Sequence, residues 1–249
     1  SLTGDKAPVF KQEKNNLVIE YGSVVNGKKN TVTVVNYFRS KTPTLKTVEF
    51  AGKVYNLSDI LVKSTVDKTS YGVPVTKYIG NSKDNFINAN GNYDIVEAGA
   101  GNDYISINSK KWAIVTGGSG NDTYEVSDLA NVFVELSDKN GTDNIVLTED
   151  SKNDVTLFFD VKVDRKGNAV TPVYKELVIL DNSEISNFLY SPQGSYTGIV
   201  VENYFGSDAS KVETITDMNG DYLDTAAIEA IRQNVANYFS DILDYKLKQ

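Results

Sequence analysis

The sequence has no cysteine and no histidine, and only one tryptophan, one methionine and five prolines in 249 residues. Without cysteine there is no disulfide framework and no thiolate chemistry, so the redox compartment cannot be read from it. Without histidine the Ser-His-Asp and Cys-His nucleophile systems, imidazole-bound zinc and the commonest general base all fall away. No run approaches the roughly 18 to 20 apolar residues that a membrane-crossing helix needs. The opening SLTGDKAPVF lacks the basic-then-apolar pattern of a signal peptide and does not begin with Met, which we read as a piece of a longer polypeptide. Positive charge is also short: 25 Lys and Arg face 33 Asp and Glu, a formal charge of −8. That balance disfavours nucleic acid and anionic membrane surfaces and points to cations as partners. The 40% hydrophobic content is enough for a real core.

What the chain does have is repetition. The stretches IGNSKDNFI (79–87), ANGNYDIVE (89–97), AGAGNDYIS (98–106) and GGSGNDTYE (117–125) place Asp84, Asp94, Asp103 and Asp122 in one column. Two positions later stand Phe86, Val96, Ile105 and Tyr124, all large and strand-favouring. A degenerate unit fills the interval from 103 to 122, with Trp112 in the Asp column and Ile114 in the apolar one.

Glycine at the second and fourth positions permits the positive φ of a tight turn. A strand of about three residues follows, its apolar member pointing inward and its neighbours outward. Nine residues then make half a coil and eighteen a full turn of a flattened parallel helix. The turns ending at Asp84, Asp103 and Asp122 stack on one edge, while Asp94 and Trp112 fall on the other and face each other. Carboxylates stacked at the strand spacing of roughly 4.8 Å repel unless a cation lies between them. A hard divalent ion taking 6 to 8 oxygens, calcium above all, fits that chemistry, whereas zinc wants ligands the chain lacks.

The array resembles the RTX repeats, G-G-x-G-x-D-x-U-x with U large and apolar, of haemolysin-type calcium-binding proteins. GGSGNDTYE matches every defined position with Tyr124 as the large residue, and AGAGNDYIS departs only at its first. The resemblance implies calcium held by Gly80, Ser82 and Asp84 in the first turn, and by Gly99, Gly101 and Asp103 in the second. Gly117, Ser119, Gly120 and Asp122 serve in the third, and Asp94 is the one member on the opposite edge. Two calcium sites are expected, one between 79–84 and 98–103, the other between 98–103 and 117–122. NVFVEL (131–136) and GTDNIVL (141–147) read as further rungs, with Asp143 in a weaker turn whose part in binding stays open.

A second repeat reaches nearly the whole chain. Residues 17–60 and 177–228 share LVI, then Asn36-Tyr37-Phe38 matched by Asn203-Tyr204-Phe205, Leu45 by Val212, Val48 by Ile215 and Tyr55 by Tyr222. Each copy ends in a short helix opened near Ser58 or Thr225. The element resembles the segment that closes an RTX block in haemolysin-like toxins and secreted adhesins. A parallel β-helix ends in unpaired strand edges and an open apolar interior, and a closing module covers both.

The expected fold is therefore mainly β: a central parallel β-roll with antiparallel β capping modules and a C-terminal helix. Residues 1–63 read as the cap of a preceding block, or as the amino-terminal cap of the same roll. Residues 64–78 form the linker, 79–148 the roll, and 149–249 the carboxy-terminal cap, with a hairpin turning at Asp164–Asn168. DMNGDYLD (217–224) carries Tyr222 where an EF-hand requires Gly and is read as a turn of the cap. In the last segment Ile228, Ile231, Val235, Phe239 and Ile242 recur at helical spacing behind Asp224 or Thr225 as N-cap.

By its resemblance the chain is a calcium-binding module of a large type I-secreted bacterial toxin or adhesin. It would be unfolded at low calcium, would fold on export, would be extracellular or at the cell surface, and would meet the type I secretion machinery. A host-cell surface or a glycan is a partner by way of the parent protein. The alternatives are an adhesive glycan-binding domain, or a non-catalytic calcium module of a secreted lipase, protease or epimerase. The segment itself shows no Gly-x-Ser-x-Gly elbow and no phosphate-binding loop, and reads as non-catalytic.

Overall fold

The computed structural model describes residues 8–13, 15–25, 28–39, 43–62, 64–151, 153–166, 169–190, 196–206 and 211–234. Val235, Phe239 and Ile242 of the expected terminal helix, and Gly167 and Asn168 of the hairpin turn, lie outside them.

The middle of the chain is a parallel β-roll. Strands β7 (Pro74–Asn81), β9 (Tyr93–Ala100), β11 (Trp112–Ser119) and β13 (Phe133–Ser137) form one face. Strands β8 (Phe86–Ala89), β10 (Tyr104–Ile107), β12 (Thr123–Val126) and β14 (Asn144–Leu147) form the other. Alternation gives each rung its inward residues. Tyr78, Val96, Val115, Leu136 and Val201 stack on the first face. Ile87, Ile105, Tyr124, Ile145 and Ile215 stack on the second. Most of these side chains are fully buried, and they form one continuous core.

That register corrects two sequence expectations by one residue each. Phe86 pairs with Tyr104 and Ile87 with Ile105, so Ile87 faces the interior and Phe86 the outside. The cause lies in the spacing: Asp84 stands ten residues before Asp94, whereas Asn85 stands nine before it. On the opposite edge Ala113, not Trp112, pairs with Asp94, and Val115, not Ile114, points inward. One extra residue in the turn after β10 shifts the following half-coil. Trp112 instead sits between Tyr93 and Phe133 on the outer face, its ring 6.4 Å from that of Tyr93.

The roll does not stop at β14. After residues 148–197 the chain returns as β17 (Gly198–Val201), parallel to β13, and β18 (Thr214–Thr216), parallel to β14. A long hairpin, β15 (Val155–Lys166) and β16 (Ala169–Asp181), leaves between the two rungs, and β16 runs antiparallel to β17. A short helix α2 (Ile185–Tyr190) follows, and β19 (Tyr222–Asp224) closes the second face antiparallel to β18. Asp217 fixes the intervening turn by accepting the N–H groups of Asn219 and Asp221, both at 2.9 Å. Helix α3 covers residues 225–234, and its first turn is capped by Asp224, which accepts the Ala227 N–H at 2.8 Å.

The amino-terminal part has its own meander, β1 (Val9–Glu13), β2 (Asn16–Val25) and β3 (Lys28–Val34), then a hairpin β4 (Thr47–Phe50) and β5 (Lys53–Asn56) and helix α1 (Leu57–Ile60). Its core, built on Phe10, Leu17, Ile19, Val48, Leu57 and Ile60, includes Phe86 of the roll. The outward turn of Phe86 therefore gives the module a hydrophobic seat, which Lys11 reinforces through an ion pair with Glu125 of β12. Strand β6 (Ser64–Lys68), antiparallel to β7, begins the first face of the roll. Among the described residues no helix is long and apolar enough to cross a membrane.

Candidate metal centre

The turns that follow the first-face strands stack on one edge and are stitched by two ladders. In one, a backbone N–H donates to a side-chain oxygen of the next coil. Asn85 donates to Asp103 Oδ1 at 2.6 Å, Asp103 to Asp122 Oδ1 at 2.8 Å, and Asp122 to Asp143 Oδ1 at 2.7 Å. Asp143 donates to Glu213 Oε2 at 2.6 Å. In the other the direction is reversed: Asn102 donates to Asp84 Oδ1, Asn121 to Asn102 Oδ1 and Thr142 to Asn121 Oδ1, all at 2.8–2.9 Å. Asp84 thus belongs to an exposed column with Asn102 and Asn121, and Asn85 takes the place expected of it.

Glycine is required where these turns touch. Gly120 has φ +124°, and a Cβ there would lie 2.0 Å from the Gly101 carbonyl oxygen. At Gly117 a Cβ would lie 1.8 Å from the Tyr124 hydroxyl and 2.4 Å from Asp122 Oδ2. The remaining expected residues line the same edge: Gly80 packs against Asn85 and the Ala98 carbonyl, and Gly99 faces Gly118. The Ser119 carbonyl accepts the Gly101 N–H at 2.9 Å. Ser82 borders an open cleft with Lys83 and Tyr55.

Each bond of the first ladder uses one carboxylate oxygen and leaves the other. Asp103 Oδ2 and Asp122 Oδ2 are buried with no hydrogen-bond donor, although Asp103 is only 2% and Asp122 only 1% exposed. Asp122, Asp138 and Asp143, all buried, each offer an oxygen, and the three atoms lie within 4.8 Å of one another. Tyr124, reaching across the roll interior, donates to Asp138 Oδ2 at 2.6 Å and fixes that side chain. Among the described residues no lysine or arginine forms an ion pair with this group.

Burial is the main reason these carboxyls resist ionisation. It pushes Asp103 up to about 6, Asp122 to about 7 and Asp143 to about 8, with neighbouring carboxylates, Asp138 among them, adding to the rise. Three acidic groups brought this close, with Asp122 Oδ2 unsatisfied and no basic partner among the described residues, need protons or a cation. All the donors are oxygen, as a hard divalent ion prefers, and the group can hold a metal ion.

The compact cluster lies one coil beyond the two expected sites. Asp138 and Glu213 were not foreseen. Asp138 stands in register with Gly117, 21 residues before it, where the repeat carries its first glycine, and Glu213 comes from beyond the 148–197 insertion. Asp143, whose part stayed open, is fully in the column. Asp94 is apart from it: wholly buried on the opposite edge, it accepts the Gly91 N–H at 2.9 Å and the Ser109 hydroxyl at 2.5 Å. Those bonds make it a turn-former in the present geometry. Comparison with known proteins gives no matching family model and no matching curated sequence.

Proposed function

We propose that this chain is a calcium-binding β-roll module of the RTX type, part of a type I-secreted bacterial toxin or adhesin, loose at low calcium and folded where calcium is millimolar. The observation that carries it is Asp122 Oδ2, buried without a donor among Asp138 and Asp143. Desolvated carboxylates of this kind oppose folding until a cation neutralises them, so binding energy becomes folding energy, RT ln(1 + [Ca]/Kd) for each site. Extracellular calcium sites bind at roughly 10⁻⁴ to 10⁻³ M, which fits a switch thrown on export. Asp103, one coil away and also carrying an unsatisfied oxygen, is the natural second position.

The test is a calcium titration read by far-ultraviolet circular dichroism, with calorimetry for stoichiometry. Gain of β signal and saturable binding that Asp122→Ala largely removes are the expected results. A chain fully folded in excess chelator that binds no calcium sinks the reading. A second reading, as an adhesive module, draws on a cleft of about 430 Å³ between the amino-terminal module and the roll, lined by Tyr37, Phe38, Tyr78, Asn88 and Asn90. Aromatic faces beside amides suit a sugar ring. Binding on a glycan array that survives loss of Asp122 favours that reading.

A further inference from the structure

The two copies of the repeated element fold alike. Strands β1, β2 and β3 correspond to β15, β16 and β17, the β4–β5 hairpin to β18–β19, and α1 to the start of α3. The backbone agrees in detail. Asn36 and Asn203 both hold positive φ, 58° and 54°, and each is followed by a Tyr-Phe pair in an edge-to-face contact at 5.1 and 4.8 Å. Ile19 pairs with Val32 just as Ile179 pairs with Ile199.

They differ in what covers them. In the second copy β17 lies against β13 and β18 against β14, and Ile199, Val201, Tyr204, Val212 and Ile228 are at most 1% exposed. In the first copy the equivalent edges of β3 and β4 pair with nothing among the described residues. The equivalent side chains, Val32, Val34, Tyr37, Leu45 and Leu61, are only half-buried. The same module thus presents a free pair of strand edges and an incompletely covered apolar face where its twin receives a parallel coil. A cross-strand edge of this kind is a template for one particular geometry of partner.

We propose that the free edges of β3 and β4 dock the last coil of a further parallel β-roll, joined ahead of β1, in the register that β13 and β14 take against β17 and β18. In the second copy residues 148–154 are enough to join β14 to β15. The amides that bond to the roll in the second copy are Gly198, to the Val132 carbonyl at 2.8 Å, Glu202, to Leu136 at 2.8 Å, and Thr214, to Asp143 at 3.2 Å. Their counterparts in the first copy are Thr31, Val35 and Thr47. The inference deepens the proposed function and rests on its β-roll reading.

The experiment uses the full chain with a duplicate of residues 74–147 fused ahead of Ser1, compared with the unfused chain in calcium, both read by hydrogen exchange at single amides. Slowing of Thr31, Val35 and Thr47 by at least about tenfold in the fusion is the expected result, because these amides pass from solvent to a ladder. Val34→Lys in the fusion should abolish that protection while β2 stays protected. Fast exchange at the three amides, whether or not the added coils take up calcium, overturns the proposal. So does protection in the unfused chain that grows with protein concentration, since the occupant would then be a second copy. Calcium stoichiometry of the unfused chain tests the underlying reading separately.

Discussion

The two closing modules carry nearly the same sequence pattern, yet one is part of the roll and the other sits beside it. In the second, Val201 and Ile215 are rungs of the common core; in the first, Val34 is half-buried and Val48 belongs to a separate core that meets the roll only at Phe86 and its neighbours. A module fixes its own internal geometry from local sequence, while its burial is set by whichever coil is offered to its edges. Local chemistry makes the shape and the neighbour makes the stability.

The sharpest way to break that contrast is to remove the cation. In chelator, or in Asp122→Ala, β17 and β18 should lose most of their exchange protection together with β11 to β14, because they stack on the coil that holds Asp143. Amides in β2 and β3 should lose far less. Equal loss in both modules would show that their cores are one.

A smaller but more direct comparison replaces the matched tyrosines. Tyr204→Ala, at a fully buried position, should cost about 3–5 kcal/mol in calcium-loaded protein, and Tyr37→Ala, half-exposed, about 1–2 kcal/mol, both measured by urea unfolding. Similar costs would mean that the first module is as enclosed as the second.

Acidity offers a third probe. The folded-state pKa values of Asp103, Asp122 and Asp143 lie at about 6, 7 and 8, above the ordinary 3.8. A raised carboxyl binds its proton more tightly in the folded chain, so its stabilisation is complete below about pH 4 and is lost as pH rises through 6 to 8. Chelated protein should therefore unfold at higher urea at pH 5 than at pH 8, with β17 and β18 following the change and β2 and β3 much less affected. Calcium should flatten the dependence.

The smallest effect should be shared equally. Asn36→Ala and Asn203→Ala each place a Cβ residue without a local side-chain bond at positive φ, at a cost of about 1 kcal/mol in either module, and the Gly variants should restore most of it. A marked difference would show that the turn, too, depends on the neighbouring coil.

Much of this was legible because the signals are local. Gly-x-Gly-Asn-Asp marks a turn with positive φ, and the recurrence of Asn-Tyr-Phe marks two copies of one closing element, whose left-handed Asn and touching rings only the structure shows. What escaped depends on counting across irregular coils. Successive partners Phe86, Tyr104, Thr123, Asn144 and Thr214 stand 18, 19, 21 and 70 residues apart, so a fixed period of nine misplaces Asp84 and Trp112 by one residue and cannot reach Glu213. Asp138 escaped for another reason: it is in register with Gly117, where the repeat carries a glycine rather than a carboxylate, and nothing in a single repeat announces it.

The paired ladders on the metal-bearing edge have a consequence for how such a chain changes size. At each joint the carboxylate of one coil receives an N–H from the coil before it, and the amide of that earlier coil receives an N–H from the coil after. Every joint is thus complete in itself and built on the same pair of bonds, with Asp84 in place of the amide at the first, and only the ends need special fittings. Asn81 and Asn85 supply one through the Asp59 carbonyl, and Glu213 supplies the other. A whole coil can be gained or lost between those fittings without either end having to be rewritten, which makes length the easiest property of this roll to vary.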